Sequence, residues 1–375
     1  MQLKILLALI LNLFWVEITL AAPSISSHTG VLTKGEAITI TGADFGSTGP
    51  TIYKWDDFEG ATHTVGQTMG AGSGDKNWIP RSADESTNEP KVLSTANRTN
   101  STKCIRCTYE GDGNKYGCMF FYLHGATLSP VYVSWYIKWD NAGTSETDNE
   151  KFWRIFYTTN TDTAPSSWDA PLLSMAKIGG DSQTIDWIAN HGTSNEQKYL
   201  TSPTENNWVR MEYYGVESTD DTSDGTIIIT QQQTSTSTFS DIWSDNTQET
   251  KDNGHHWTAL FWGEYANMAS TSGRLYYHDF DDIYIANSRA RVEIGDASTW
   301  ATCTHREIQI PTAWAAGEIT ATLNTGSFAD DATVYLYVVD ADGAVNSNGY
   351  VINLGEGGSS ISKQGISSCL GCTFQ

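Results

Sequence analysis

The stretch VYVSWYIKW, residues 131–139, places an apolar side chain at every second position. Successive side chains of a β-strand point to opposite faces, so this period of two predicts a half-buried strand. The predicted core face carries Val131, Val133, Trp135, Ile137 and Trp139. The opposite face carries Tyr132, Ser134, Tyr136 and Lys138.

The same period recurs along the chain. It appears in KFWRIFY (151–157), WVRMEYYGV (208–216), GTIIITQ (225–231), WTALFWGEY (257–265), LYYHDFDDIYIA (275–286), EITATLN (318–324) and TVYLYVVDADG (333–343). Gly, Asn, Asp or Pro ends these segments, as in antiparallel strands, and no convincing amphipathic helix accompanies them. The sequence therefore predicts an all-β protein. A hairpin is expected around Asp112-Gly113, with Cys107 facing Cys118.

The first 21 residues, MQLKILLALILNLFWVEITLA, combine one lysine, an apolar run and a small-residue exit. This layout predicts a secretory signal peptide, with a membrane anchor as the alternative. We therefore expect a protein without a membrane span, secreted or at the cell surface, extracellular or periplasmic. In such a protein the even number of cysteines favours disulfides of open connectivity over a zinc site. The cysteines are Cys104, Cys107, Cys118, Cys303, Cys369 and Cys372.

The formal net charge is −22, and the chain contains 14 Trp and 17 Tyr. Binding to nucleic acid or to anionic membranes relies on clustered Lys and Arg, so such partners are not expected. Trp and Tyr rings either stack on sugars or fill sandwich cores. Composition alone leaves both uses open.

From residue 22, the segment APSISSHTGVLTKGEAITITGADFGSTGP contains a Gly-bounded Ile/Thr strand followed by G-x-x-F-G. This resembles the start of an IPT/TIG immunoglobulin-like domain. The matching continuation, ARVEIGDAST, REIQIPTAWAAGEITATLNTGSF and ATVYLYVVDADGAVNSNGYVINLG, begins only at residue 290. The resemblance implies a small immunoglobulin-like β-sandwich formed by residues 22–50 and 291–356, an insertion at 51–290, and a Cys-containing tail at 357–375. Two unrelated β-domains in tandem are the alternative.

The insertion starts with WDDFEG, has YVSWYIKW and KFWRIF at its centre, and ends with HDFDDIYIA. This resembles the concanavalin A-like group of lectins, glucanases, laminin G-like modules and polysaccharide lyases. The resemblance implies a large jelly-roll β-sandwich. It does not fix an activity, because one fold hosts many functions.

Alternation in the other central strands sorts further polar residues onto one face. Basic and aromatic side chains on a concave sheet could hydrogen-bond to sugars and pair with uronate carboxylates. The predicted polysaccharide-binding set is Tyr132, Tyr136, Lys138, Arg154, Arg210, Glu212 and Tyr214. An ordinary amphipathic sheet facing water is the alternative.

A lyase needs a base for the proton α to a uronate carboxylate, and a cation that neutralises the carboxylate. Its groups would come from Tyr276, His278, Arg154, Arg210 and Tyr136. No specific lyase motif occurs, and no E-x-D-x-E pattern supports glucanase chemistry. The leading expectation is therefore polysaccharide recognition, with a uronate-polymer lyase as the alternative and an adhesin or structural module as the third reading.

Acidic residues mark both ends of the insertion. The carboxylates of Asp57, Glu59 and Asp281, with Asp282 beside them, would suit a structural Ca²⁺ if they converge. A solvated acidic patch is the alternative. No cofactor is required by the predicted function, and the protein is expected to be a monomer.

Overall fold

The computed structural model describes residues 21–69, 78–81, 90–110, 113–116, 118–123, 125–140, 149–158, 171–177, 185–191, 194–199, 204–251, 254–268 and 275–356. These residues form 23 strands and one 3-10 turn at Trp300–Thr302, with no α-helix among them. The all-β prediction is thus confirmed. Within these same ranges, no helix has the length and apolar character needed to cross a bilayer.

The strands, numbered in chain order, are β1 (Ser24–Gly30), β2 (Ala37–Ala43), β3 (Ile52–Asp56), β4 (Trp78–Arg81), β5 (Lys91–Leu93), β6 (Cys104–Glu110), β7 (Gly113–Tyr116), β8 (Cys118–Tyr122), β9 (Val131–Asp140), β10 (Asn149–Thr158), β11 (Pro171–Lys177), β12 (Ile185–His191), β13 (Ser194–Tyr199), β14 (Val209–Val216), β15 (Gly225–Gln232), β16 (Phe239–Gln248), β17 (His256–Met268), β18 (Leu275–Ala286), β19 (Arg291–Gly295), β20 (Arg306–Ala315), β21 (Glu318–Thr322), β22 (Thr333–Val339) and β23 (Tyr350–Asn353).

One sheet is built from two distant parts of the chain. Its strand order is β1-β2-β21-β20-β19-β22-β23. In the antiparallel pair of β2 and β21, Ile38 lies opposite Ala321 and Ile40 lies opposite Ile319. These isoleucines share one core with Val292. We call this the split sheet, because the strands between its two parts belong to other sheets. The domain boundaries at residues 50 and 290 and the IPT/TIG assignment stay predictions.

Two further sheets pack face to face as a β-sandwich. The inner sheet has the order β16-β15-β14-β9-β18-β6-β5, with β3 paired to β18. The outer sheet has the order β13-β12-β11-β10-β17-β8-β4, with β7 paired to β17. Trp135 of the inner sheet stacks on Trp153 of the outer sheet, with ring centroids 5.0 Å apart. The predicted core face of β9 therefore lies between the two sheets, together with Val133 and Ile137.

The disulfide between Cys107 and Cys118 connects the two sheets of the sandwich. β6, which carries Cys107, pairs with β18 in the inner sheet. β7 and β8 pair with β17 in the outer sheet. The prediction that Cys107 faces Cys118 is therefore confirmed, whereas the predicted hairpin is wrong, because β6 and β7 pair in different sheets; Asp112 itself lies outside the described residues.

A β-bulge in β18 reverses which face its side chains occupy. Asp281 lies opposite Tyr136, and Tyr284 lies opposite Ser134, so β18 has one extra residue at this point. The backbone of Asp282 has φ of 46°, in the left-handed region. An extra residue of this kind shifts the alternation by one.

Candidate functional site

The polar face of the inner sheet is covered by the split sheet. Tyr132, Tyr136, Arg210 and Glu212 are 3%, 5%, 1% and 4% exposed. Tyr132 packs in a small apolar cluster with Ile308 of β20. The expectation that these four side chains line an open groove is therefore corrected. Strand alternation identifies their face but gives no information about what lies against it.

A buried ion network joins the two sheets across this junction. Arg210 donates to both carboxylate oxygens of Glu293, with Nη1 to Oε2 at 2.7 Å and Nη2 to Oε1 at 3.1 Å. Glu212 accepts hydrogen bonds from Arg306 at 3.0 Å and from Arg291 at 3.3 Å. Burial by itself would raise the pKa of Glu293, but Arg210, Arg291 and Arg306 together lower it to about 2. Arg210 and Glu212 thus hold the two sheets together.

Tyr136 also takes part in the junction. Its hydroxyl donates to the carbonyl of Arg306 at 2.8 Å, and the guanidinium of Arg98 lies 3.4 Å from the ring centroid. Burial, followed by the charge of Glu307, raises the pKa of Tyr136 well above its usual value. A phenol in this environment is a poor base, since ionisation would place a further negative charge in a buried site.

The remaining residues of the predicted lyase set lie elsewhere. His278 is 1% exposed and packs in the sandwich core, against the rings of Tyr109 and Phe152 at 4.9 and 4.5 Å. Its predicted position on the groove face is corrected, because the bulge in β18 separates its face from that of Tyr284. Tyr276 belongs to β18, but its side chain lies outside the described residues.

Arg154 belongs to the other sheet. It is half-buried on β10, with its guanidinium 5.9 Å from the ring of Phe156. Phe156 is part of an aromatic cluster on the far face of the outer sheet. The sandwich core therefore separates Arg154 from Arg210, and the two cations do not share one site.

Two cavities flank the covered junction. The first, of about 340 Å³, is lined by Tyr136, Lys138, Asn206, Asn207, Trp208 and His305. We call it the Trp208 cleft. The second, of about 280 Å³, is lined by Tyr214, Phe239, Asp241, Arg289, Trp300 and Arg306. We call it the Arg289 pocket. The predicted binding residues at the edges of the face, such as Lys138 and Tyr214, thus border cavities instead of one continuous groove.

The Trp208 cleft combines a fixed aromatic ring with polar groups. The indole N–H of Trp208 donates to the carbonyl of Ala96 at 3.1 Å, which fixes the half-buried ring. The Lys138 ammonium lies 6.0 Å from the centre of that ring. Asn206 is exposed, with φ of 59°. Its backbone N–H donates to the carbonyl of Trp139 at 2.9 Å.

Further polar groups complete the wall of the cleft. Asn207 donates its side-chain amide to the carbonyl of Glu205 at 3.0 Å. His305 lies 4.1 Å from Phe328, ring to ring, and its Nε2 is 2.5 Å from Glu307 Oε1. These contacts hold the amide and the imidazole in place, so the cleft is largely pre-formed, as small-ligand sites usually are.

The predicted calcium residues are engaged by protein groups. Glu59 accepts hydrogen bonds from the backbone N–H of Lys103 at 2.9 Å and from the hydroxyl of Ser101 at 2.8 Å. Ser101 also approaches Asp281 at 3.1 Å, and Asp57 pairs with Lys34 at 3.3 Å. In the described ranges, no group of three or more His, Cys, Asp or Glu residues could hold a metal ion. Calcium binding stays a prediction.

No protein-family model matches the chain, and no curated protein matches it. Solved structures similar to it include an endo-β-1,4-glucuronan lyase from the fungus Trichoderma reesei, with 9% identity, a TM-score of 0.43, and coverage of 64% of this chain and 96% of that one. A PL-14 alginate lyase from Aplysia kurodai has 13% identity, a TM-score of 0.40, and coverage of 52% and 86%. An alginate lyase from a Chlorella virus has 10% identity, a TM-score of 0.39, and coverage of 60% and 99%.

Sequence reasoning missed Trp208 and three arginines, Arg289, Arg291 and Arg306. Trp208 precedes Arg210 by two positions, so strand alternation could have placed it on the same face. Arg289 lies at the end of the predicted insertion, whereas Arg291 begins β19 and Arg306 begins β20, in the second part of the split sheet. No local pattern indicates that they pack against the inner sheet.

Proposed function

We propose that this protein is an extracellular, non-catalytic carbohydrate-binding protein that recognises a polysaccharide in the Trp208 cleft. The single observation that carries the proposal is the half-buried Trp208 ring, fixed through its N–H and bordered by Lys138 and Asn206. An indole ring offers a flat apolar surface to a sugar ring, while amides and an ammonium group can hydrogen-bond to hydroxyls and carboxylates.

The size and composition of the cleft support this function. Its volume of about 340 Å³ lies at the lower end of the range for small-ligand sites, which suits one or two sugar units of a longer chain. The side chain of Asn206 makes no hydrogen bond to any described residue, so its amide is available to a ligand.

The positions of the candidate acid and base groups favour binding over catalysis. Tyr136 and Arg210 are buried in the junction, His278 lies in the core, and Arg154 belongs to the outer sheet. A lyase requires a base and a carboxylate-neutralising cation at one substrate carbon. Among the described side chains of the predicted set, no such pair meets at an open surface.

The test is incubation with a panel of neutral and uronate-containing polysaccharides. We expect retention on at least one polymer, with no new absorbance from unsaturated sugar ends. Trp208→Ala should weaken retention at least about tenfold, equivalent to ~1.4 kcal/mol. New absorbance would show a lyase, and absence of both signals would contradict both functions.

A matched variant controls for general damage to the fold. Trp314 is also half-buried, and its indole N–H donates to the carbonyl of Phe45 at 3.1 Å. It lies in β20, outside both cavities. Trp314→Ala should keep the retention of the wild-type protein. Equal loss in both variants would count against a role for the Trp208 cleft.

A further inference from the structure

The Arg289 pocket lies on the opposite side of the junction from the Trp208 cleft. Tyr214, Phe239 and Asp241 come from the inner sheet, whereas Arg306 comes from β20 of the split sheet and Trp300 from the 3-10 turn between β19 and β20. A ligand in this pocket would therefore contact both sheets at once.

The walls of the pocket and the network behind it carry an excess of positive charge. Four guanidinium groups, those of Arg210, Arg289, Arg291 and Arg306, face three carboxylates, those of Glu212, Asp241 and Glu293. One cation thus has no counterpart among these three carboxylates, and a further carboxylate outside the pocket lining, that of Asp342, lies close enough to act on Tyr214. The excess is notable because the whole chain carries a formal charge of −22, and a buried positive charge is normally paired.

The guanidinium of Arg289 has N–H donors that make no hydrogen bond to the described part of the chain. It is half-buried, and its Nη1 donates to the carbonyl of Asp342 at 2.9 Å. That is the single hydrogen bond of its side chain to the described part of the chain, although a guanidinium has five N–H donors. Burial and then the charge of Arg291 lower the pKa of Arg289. The negative charge of a bound anion would favour the charged guanidinium and so oppose both effects.

The backbone beside Arg289 leaves space for its guanidinium. Gly343 has φ of +89°, and a Cβ atom built there would lie 2.1 Å from Arg289 Cζ. On another side, the ring of Tyr214 lies 5.5 Å from the guanidinium. These neighbours hold Arg289 at the pocket, so its free edge is oriented before a ligand arrives.

Aromatic rings form the remaining walls. The guanidinium of Arg306 lies between Phe239 and Trp300, at 3.6 and 3.8 Å from their ring centroids. Arg306 Nε is buried and lies 3.8 Å from Glu293 Oε2, so this cation belongs to the ion network behind the pocket. The pocket thus offers flat apolar surfaces together with the N–H donors of Arg289, a combination that suits a small polar ring bearing an anion.

We propose that the Arg289 pocket binds the carboxylate of a small acidic ligand, either one acidic sugar unit or a simple organic acid, and that the ligand bridges the inner and split sheets. The volume of about 280 Å³ limits the ligand to this size. The site is separate from the Trp208 cleft and does not depend on the function proposed for it.

The experiment is calorimetric titration of the full-length protein with glucuronate, glucose and acetate. Glucuronate and glucose differ in the carboxylate, so binding of the first and not the second shows recognition of the charge. Glucuronate binding much tighter than acetate would identify an acidic sugar as the source. Equal binding of acetate and glucuronate would identify a simple carboxylic acid.

Variants assign the binding to this pocket. Arg289→Gln should weaken glucuronate binding at least about tenfold, because a charge-assisted pair is lost. Asp241→Asn should strengthen it about threefold, because an exposed negative charge at the mouth is removed. Arg154→Gln is the control: Arg154 is also half-buried and lies beside an aromatic ring, that of Phe156, at 5.9 Å. It should bind as the wild type does.

Two results would overturn the proposal. One is that neither glucuronate nor acetate binds. The other is that binding is the same in Arg289→Gln as in the wild-type protein. This test uses different ligands and variants from the polysaccharide test. A negative result here can therefore be distinguished from a negative result for polysaccharide binding in the Trp208 cleft.

Discussion

The ion network of the junction predicts that loss of a carboxylate is more costly than loss of a guanidinium. Arg210, Arg291 and Arg306 share two carboxylates, those of Glu212 and Glu293. Glu293→Gln would leave three cations with one carboxylate. Arg210→Met would leave two cations with two carboxylates, and Arg291 would still donate to Glu293 at 2.5 Å.

Removal of one partner from a buried ion pair destabilises a protein by roughly 3–5 kcal/mol. We expect a loss of about 3 kcal/mol for Arg210→Met and about 5 kcal/mol for Glu293→Gln in the free energy of unfolding, near the two ends of that range. The double variant restores the charge excess of the wild type. Its loss should therefore be smaller than the sum of the single losses, by about 1–3 kcal/mol.

Urea unfolding followed by tryptophan fluorescence measures these free energies, since the chain has 14 tryptophans. Lys34→Met is the control, because the Lys34–Asp57 pair is partly exposed, at 41% and 25% of the two side chains. It should change the stability by less than about 1 kcal/mol. A loss of stability below about 1 kcal/mol for Glu293→Gln would refute a buried ion network with excess positive charge. A larger loss for Arg210→Met than for Glu293→Gln would refute it as well.

Three other outcomes are expected. Burial raises the pKa of Asp282 from 3.8 to about 7 despite the nearby Arg98, so its stabilising contribution is full below the unfolded pKa and is lost as the pH rises through about 7. The thermal midpoint should fall from about pH 4 to about pH 7 and then level off, and Asp282→Asn should flatten that fall; an equal slope in the variant would be inconsistent with this assignment. His278→Phe should retain polysaccharide binding within about threefold, equivalent to ~0.7 kcal/mol, and loss of binding by a folded variant would place His278 in the site. Replacement of Cys107 and Cys118 by serine should lower the free energy of unfolding by about 2–4 kcal/mol, since the bridge closes a loop of the unfolded chain; unchanged stability would show that the bridge does not restrict that chain.

Strand alternation was sufficient to predict much of the fold. The period of two in residues 131–139 correctly placed Trp135 and Ile137 in the core and Tyr136 on the opposite face. The same alternation failed in β18, because one extra residue at Asp282 makes the side chains before and after it point to opposite faces from those expected. No sequence pattern marks such a bulge.

The candidate site was harder to predict for a different reason. Polar side chains that face solvent and polar side chains that form a buried ion network have the same spacing along a strand. Arg210 and Glu212 fit either description until their partners, Glu293 and Arg306, are placed against them by strands that lie far away in sequence. Local patterns therefore identify a face, and only tertiary packing determines whether that face is open.

A crystal structure of the protein with an oligosaccharide from the polymer that retains it is the most direct test of polysaccharide binding in the Trp208 cleft. We expect a sugar ring against the Trp208 indole, with carbon atoms about 4 Å from the ring, and hydroxyls near Lys138 and Asn206. An oligosaccharide bound to the outer sheet beside Arg154 and Phe156, with the Trp208 cleft empty, would exclude the cleft as the binding site.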